Sequence, residues 1–93
     1  MSSQLFIVTG ASRGLGAAIA EQLLLPGHRL LCLSRKTGEA LAERSRTLGV
    51  SCEQWPLDLA LPLEAAARLQ AWLGQLKATE FDTATLINNA GVI

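Results

Sequence analysis

Charge is scarce in this sequence and favours neither sign. Only 17% of the 93 residues are charged, and eight basic side chains balance eight acidic ones. Without a net charge there is no general attraction for nucleic acid or an anionic membrane, and neither is expected as a partner. The basic side chains are also scattered, apart from Arg35-Lys36 and Arg44/Arg46. Long apolar runs are missing too, since none approaches the ~18 residues that span a bilayer. The opening Met-Ser-Ser-Gln lacks the positive region and apolar stretch of a secretory signal, so the expected location is cytoplasmic. Cysteine is limited to Cys32 and Cys52, in separate apolar segments without metal-ligand spacing. No metal is expected, and both thiols read as small buried hydrophobes. The one histidine, His28, follows Pro26-Gly27 and reads as a solvated turn residue.

What is present is an apolar, globular chain: 49% of the residues are hydrophobic, enough for the core of one small domain. No linkers, repeats or low-complexity tracts divide it. Two periods alternate along its length. Leu5 to Val8, Leu30 to Leu33, Val50 to Leu57 and Ala84 to Ile87 read as strands, the first two as fully buried ones. Between them a helix runs from Gly14 until Pro26-Gly27 stops it, with Leu15, Ala18, Ile19 and Leu23 on one face. A charged surface helix follows over Glu39 to Leu48, closed by Gly49. A third runs from about Leu63 to Lys77, with Leu69, Trp72, Leu73 and Leu76 as a core-facing stripe. Strands alternating with helices predict an α/β fold: a Rossmann-type, doubly wound parallel sheet with helices on both faces. With strand order 3-2-1-4, ligands would sit where the order reverses, between the first and fourth strands.

Both Thr9-Gly-Ala-Ser-Arg-Gly-Leu-Gly16 and Asn88-Asn-Ala-Gly91 would flank that point. A turn needs one glycine, and this first stretch holds three. Gly10 can take backbone angles closed to other residues. Gly14 and Gly16 let backbone and helix approach a ligand and the sheet with no Cβ between them. The helix start offers unpaired N–H groups and partial positive charge suited to a phosphate. Ser12 adds a hydroxyl donor and Arg13 a full charge. A plain turn with helix–sheet packing would account for one or two of these glycines. The spacing is neither G-x-G-x-x-G nor the lysine-bearing P-loop.

T-G-x-x-x-G-x-G in a first strand-to-helix turn, Asp58-Leu59 after the third strand and Asn88-Asn89-Ala90-Gly91 after the fourth together resemble the short-chain dehydrogenase/reductase family. The resemblance runs the length of the chain. Within it, Phe6 to Gly16 and Leu33-Ser34-Arg35 are most similar to the sepiapterin and benzil reductase branch. It implies hydride transfer between a nicotinamide cofactor and a small carbonyl or alcohol substrate. Cofactor contacts are implied for Gly10, Ser12, Arg13, Gly14, Leu15 and Gly16. Asp58 would accept from the adenine amino group, with the Leu59 backbone at the ring edge. Asn89, Ala90 and Gly91 would run along the adenosine ribose, the Asn89 side chain also tying the strand ends. The complete enzyme would be a homo-oligomer.

The family's proton donor is a tyrosine with a lysine four residues on, assisted by a serine and an asparagine. The sequence contains no tyrosine. These residues are therefore expected to be the N-terminal, cofactor-binding part of a longer reductase, truncated after the fourth strand and inactive alone. Its fourth strand should present an open apolar edge.

Preference for NAD usually needs an acidic residue about 20 positions past the glycines, to bond the ribose 2′-OH. The second strand instead ends in Ser34-Arg35-Lys36. Arg35 and Arg13 could together grip a 2′-phosphate, so the expected cofactor is NADP rather than NAD. Two other classes fit parts of the pattern. A non-catalytic dinucleotide-binding or regulatory module needs only the glycine motif. A Rossmann-like methyltransferase needs the acid that Ser34-Arg35 replaces.

Overall fold

The computed structural model describes residues 3–11, 14–57, 62–76 and 81–88. Four strands, β1 (Gln4–Thr9), β2 (His28–Ser34), β3 (Ser51–Pro56) and β4 (Thr83–Asn88), alternate with three helices, α1 (Gly14–Gln22), α2 (Glu39–Leu48) and α3 (Pro62–Gly74). The sheet is parallel, in the order β3-β2-β1-β4. This is the predicted doubly wound arrangement.

The two central strands are buried because both of their faces are covered. Val8, Leu30 and Cys32 point to one side, where Ala20, Leu24 and Leu41 from α1, its following turn and α2 close over them. Leu5, Ile7, Leu31 and Leu33 point to the other and meet Trp55, Leu69 and Trp72. Each such buried side chain contributes about 1.5–3 kcal/mol relative to exposure. That two-sided demand is why β1 and β2 read as unbroken apolar runs and not as alternating ones.

α3 is fixed to the sheet by its aromatic contacts. Trp72 meets Trp55 of β3 edge-on at 5.7 Å between ring centroids. The Arg68 guanidinium lies 4.4 Å over the Trp55 ring, and that of Arg29 lies 5.3 Å over Trp72. Arg29 also pairs with Glu53 at 3.1 Å. Among the described residues, no helix is long and apolar enough to cross a membrane.

Four local expectations are corrected. α1 ends at Gln22, before Pro26-Gly27, because the chain tightens into a turn at Leu23–Leu25. Its buried positions are Gly16 and Ala20. Leu15 is 68% exposed and Ala18 is also exposed, while Ile19 and Leu23 are half-buried. Small residues face the sheet because they let the helix backbone settle close to it. His28 is not a turn residue but opens β2; its Nδ1 donates to the Leu23 carbonyl oxygen at 2.8 Å and its ring lies 4.8 Å from that of Phe6. In the third helix Leu73 is 42% exposed, and Leu76 packs from beyond the helix end.

Candidate functional site

The carboxyl ends of β1, β2 and β4 converge on one rim of the sheet. Gly10 leaves β1 at φ 67°, and its N–H still donates to the Leu33 oxygen at 2.8 Å, which ties the start of the turn to the end of β2. Gly14 opens α1 at φ 63°. A Cβ placed on Gly14 would meet no heavy atom within 4 Å, so the space in front of the helix start is clear. The first turn of α1 carries no acidic residue. Its N–H groups lack intrahelical partners and lie at the positive end of the helix dipole. Such a helix start favours negative charge. Gly16, within that first turn, is buried, and Leu15 beside it is exposed.

On the other side of the sheet's rim, Thr9 Oγ1 donates to Asn88 Oδ1 at 2.9 Å, joining the ends of β1 and β4 across the point where strand order reverses. Such a tie between strand ends was expected of Asn89; in the described residues it is made by Asn88. A cleft of about 340 Å³ opens beneath it on the α3 face, lined by Thr9, Leu33, Ala65, Ala66, Leu69, Leu86 and Asn88.

Arg35 and Lys36 lie exposed in the turn between β2 and α2. Positions 34 to 38 hold no carboxylate; the first acid after β2 is Glu39, inside α2. The turn is tethered at both ends. Ser34 Oγ donates to the Lys36 oxygen at 2.6 Å. Gly38 N–H donates to Gln54 Oε1 at 2.7 Å, and Gln54 Nε2 donates to the Gly38 oxygen at 2.8 Å. Gln54 carries no signal in the sequence, because only the β2–β3 register, with Cys32 opposite Gln54, brings it alongside this turn.

The same register sets Cys52 opposite Leu30, two residues diagonal to Cys32, on the face beneath α1 and α2. Both thiols are free. Cys32 is buried as expected; Cys52 is only half-buried. The Cys32 thiol donates to the Cys52 sulfur, which with burial pushes Cys32 far above the usual thiol range. The same hydrogen bond stabilises the Cys52 thiolate and lowers its pKa, against the opposing effect of burial. The two cysteines are thus a contacting pair, not two independent hydrophobes.

Of the residues expected to hold a cofactor, Gly10, Gly14, Leu15 and Gly16 gather at the β1–α1 turn, and Arg35 stands at the end of the neighbouring strand. Ser12, Arg13, Asp58, Leu59, Asn89, Ala90 and Gly91 lie outside the described residues.

This chain is similar to known reductases. It is 38% identical over 90 residues to the benzil reductase ((S)-benzoin forming) of Bacillus subtilis, an alignment covering 97% of this chain and 34% of that protein. With the sepiapterin reductase of Xenopus tropicalis it shares 38% identity over 101 residues, covering 100% of this chain and 38% of the relative. The chain thus spans about a third of the length of these relatives. Among solved structures it matches a 3-oxoacyl-[acyl-carrier protein] reductase from Brucella melitensis in complex with NAD, with a TM-score of 0.73 and 31% identity, covering 99% of this chain and 35% of that one. It also matches the NADP complex of Pseudomonas aeruginosa RhlG, with a TM-score of 0.67 and 37% identity, covering 99% and 36%. Residues 4–93 match the profile of the short chain dehydrogenase family. The chain belongs to that family of oxidoreductases.

Proposed function

We propose that these residues form the N-terminal, adenosine-pyrophosphate-binding part of an NADP(H)-dependent reductase acting on a small carbonyl or alcohol substrate. The observation that carries this reading is the clear, acid-free start of α1 at Gly14, next to a β2 end that offers Arg35 where an NAD site needs a carboxylate. When bound, the cofactor would supply or accept the hydride. This chain would hold the pyrophosphate on the first-turn N–H groups of α1, helped by Ser12 and Arg13. Leu15 would cover it from the rim. Arg35 would meet the 2′-phosphate, Asp58 and Leu59 the adenine, and Asn89, Ala90 and Gly91 the ribose. The protonating and orienting groups would come from outside these 93 residues, which have no tyrosine.

The reading accords with the covered third of the benzil and sepiapterin reductases and with the NADP complex of RhlG. It is tested on cofactor choice. A charge-assisted hydrogen bond from Arg to phosphate is worth about 1.5–3 kcal/mol, so Arg35→Asp in the full-length polypeptide should weaken NADPH about 10- to 100-fold while sparing NADH. Calorimetric titration with both cofactors reads the ratio, and an unchanged ratio would reject Arg35 as the selector.

A further inference from the structure

We propose that Gln54 is a positioning residue for cofactor choice: its side-chain amide clamps the Arg35–Gly38 turn in the shape that presents Arg35 to a 2′-phosphate. The inference rests on the reading of Arg35 given above. Its own basis is the pair of hydrogen bonds from Gln54 to both polar groups of Gly38, at 2.7 and 2.8 Å. One carboxamide oxygen accepts from the N–H while the amide nitrogen donates to the C=O. A side chain here repeats what a neighbouring strand would do, and carries β2–β3 pairing past the point where the backbones part at Ser34 and Pro56. The Gly38 oxygen also receives the Ala42 N–H from the first turn of α2, so the clamp fixes the turn and the helix start together. At the near end Ser34 Oγ holds the Lys36 oxygen at 2.6 Å, and the Leu57 N–H donates to the Ser34 oxygen at 2.8 Å.

Arg35 therefore sits on a short segment tied down on both sides, and its side chain is exposed between the ties. A long cationic side chain loses affinity when its base is free to wander, because binding must then order the backbone as well as the rotamer. A preformed turn removes that cost for a phosphate at position 2′. It does nothing for a phosphate at position 5′, which belongs to the β1–α1 turn on another element.

The test uses that separation. Adenosine 2′,5′-bisphosphate and adenosine 5′-monophosphate are titrated into the full-length polypeptide and its Gln54→Met variant, which keeps the side-chain length and removes both hydrogen bonds. Thermal unfolding confirms that the variant is folded. Losing two neutral hydrogen bonds to a turn should weaken the bisphosphate about 3- to 10-fold and leave the monophosphate unchanged. Should Gln54→Met fail to fold, Ser34→Ala removes the opposite tether, and the same selective loss is expected. Equal weakening of both ligands would mean a general structural role and overturn the proposal. So would unchanged discrimination in a parent that clearly prefers the bisphosphate, a result that leaves the NADP reading standing. A parent that binds both ligands alike overturns the NADP reading and this inference with it.

Discussion

Gly14 and Gly74 make a matched pair of single-residue experiments. A methyl group added at either would meet nothing within 4 Å, so neither substitution produces a clash. They differ in backbone conformation: Gly14 sits at φ 63°, whereas Gly74, the last residue of α3, is not among the positive-φ glycines. A side chain in the left-handed region costs about 1–2 kcal/mol, while alanine for glycine at a helical position gains about 0.5–1 kcal/mol. Gly14→Ala should therefore lower the denaturant midpoint and Gly74→Ala should raise it. Opposite signs establish that the first glycine is required by backbone angle; equal signs would refute it. Gly14→Ala should also weaken NADPH, since its methyl would project into the clear space where the pyrophosphate is proposed to lie. Sequence spacing suggested an open approach for Gly14. The angle was legible only for Gly10, where the need for a sharp exit from a strand is plain.

Among the elements, β2 and α3 show what patterning reveals and what it hides. β2 was legible because a strand covered on both faces must be apolar at every position from Leu30 to Leu33. The buried face of α1 was not, because helical periodicity marks large apolar residues, whereas the buried positions there are small, Gly16 and Ala20. The tether of the Arg35 turn was hidden for a related reason: it depends on pairing between strands, which no single element encodes. α3 lies between these cases. Its stripe named Leu69 and Trp72 correctly, but not that Trp72 is gripped by Trp55 on one side and Arg29 on the other. Trp72→Ala should destabilise the fold by about 2–4 kcal/mol, towards the lower end because the ring is only half-buried. Urea unfolding measures this, and a loss below about 0.5 kcal/mol, the scale of ordinary surface substitutions, would show that α3 is held mainly by its other contacts.

At the scale of the whole molecule, a radius of gyration of 12.8 Å matches the ~12 Å of a compact domain this long, and among the described residues the sheet ends in an outer strand on each side, β3 and β4. α1 and α2 cover one face and α3 the other, but in the described residues β4 pairs with β1 alone. Its outer N–H and C=O groups have no strand beside them there, and Leu86 is 63% exposed. Among the described residues β4 is therefore an outer strand of the sheet. An unpaired parallel edge with an exposed leucine is a template for another strand. The relatives matched here are about three times as long, which gives them further residues with which such an edge can be covered. Produced as an isolated 93-residue polypeptide, the chain should associate through β4. Sedimentation velocity between low and high micromolar concentration should show oligomers that grow with concentration. Leu86→Lys places a charge on that strand and should shift the population to monomer at an unchanged melting temperature. A parent that stays monomeric throughout that range would mean the edge is already blunted, and β4 would not act as a template for another strand.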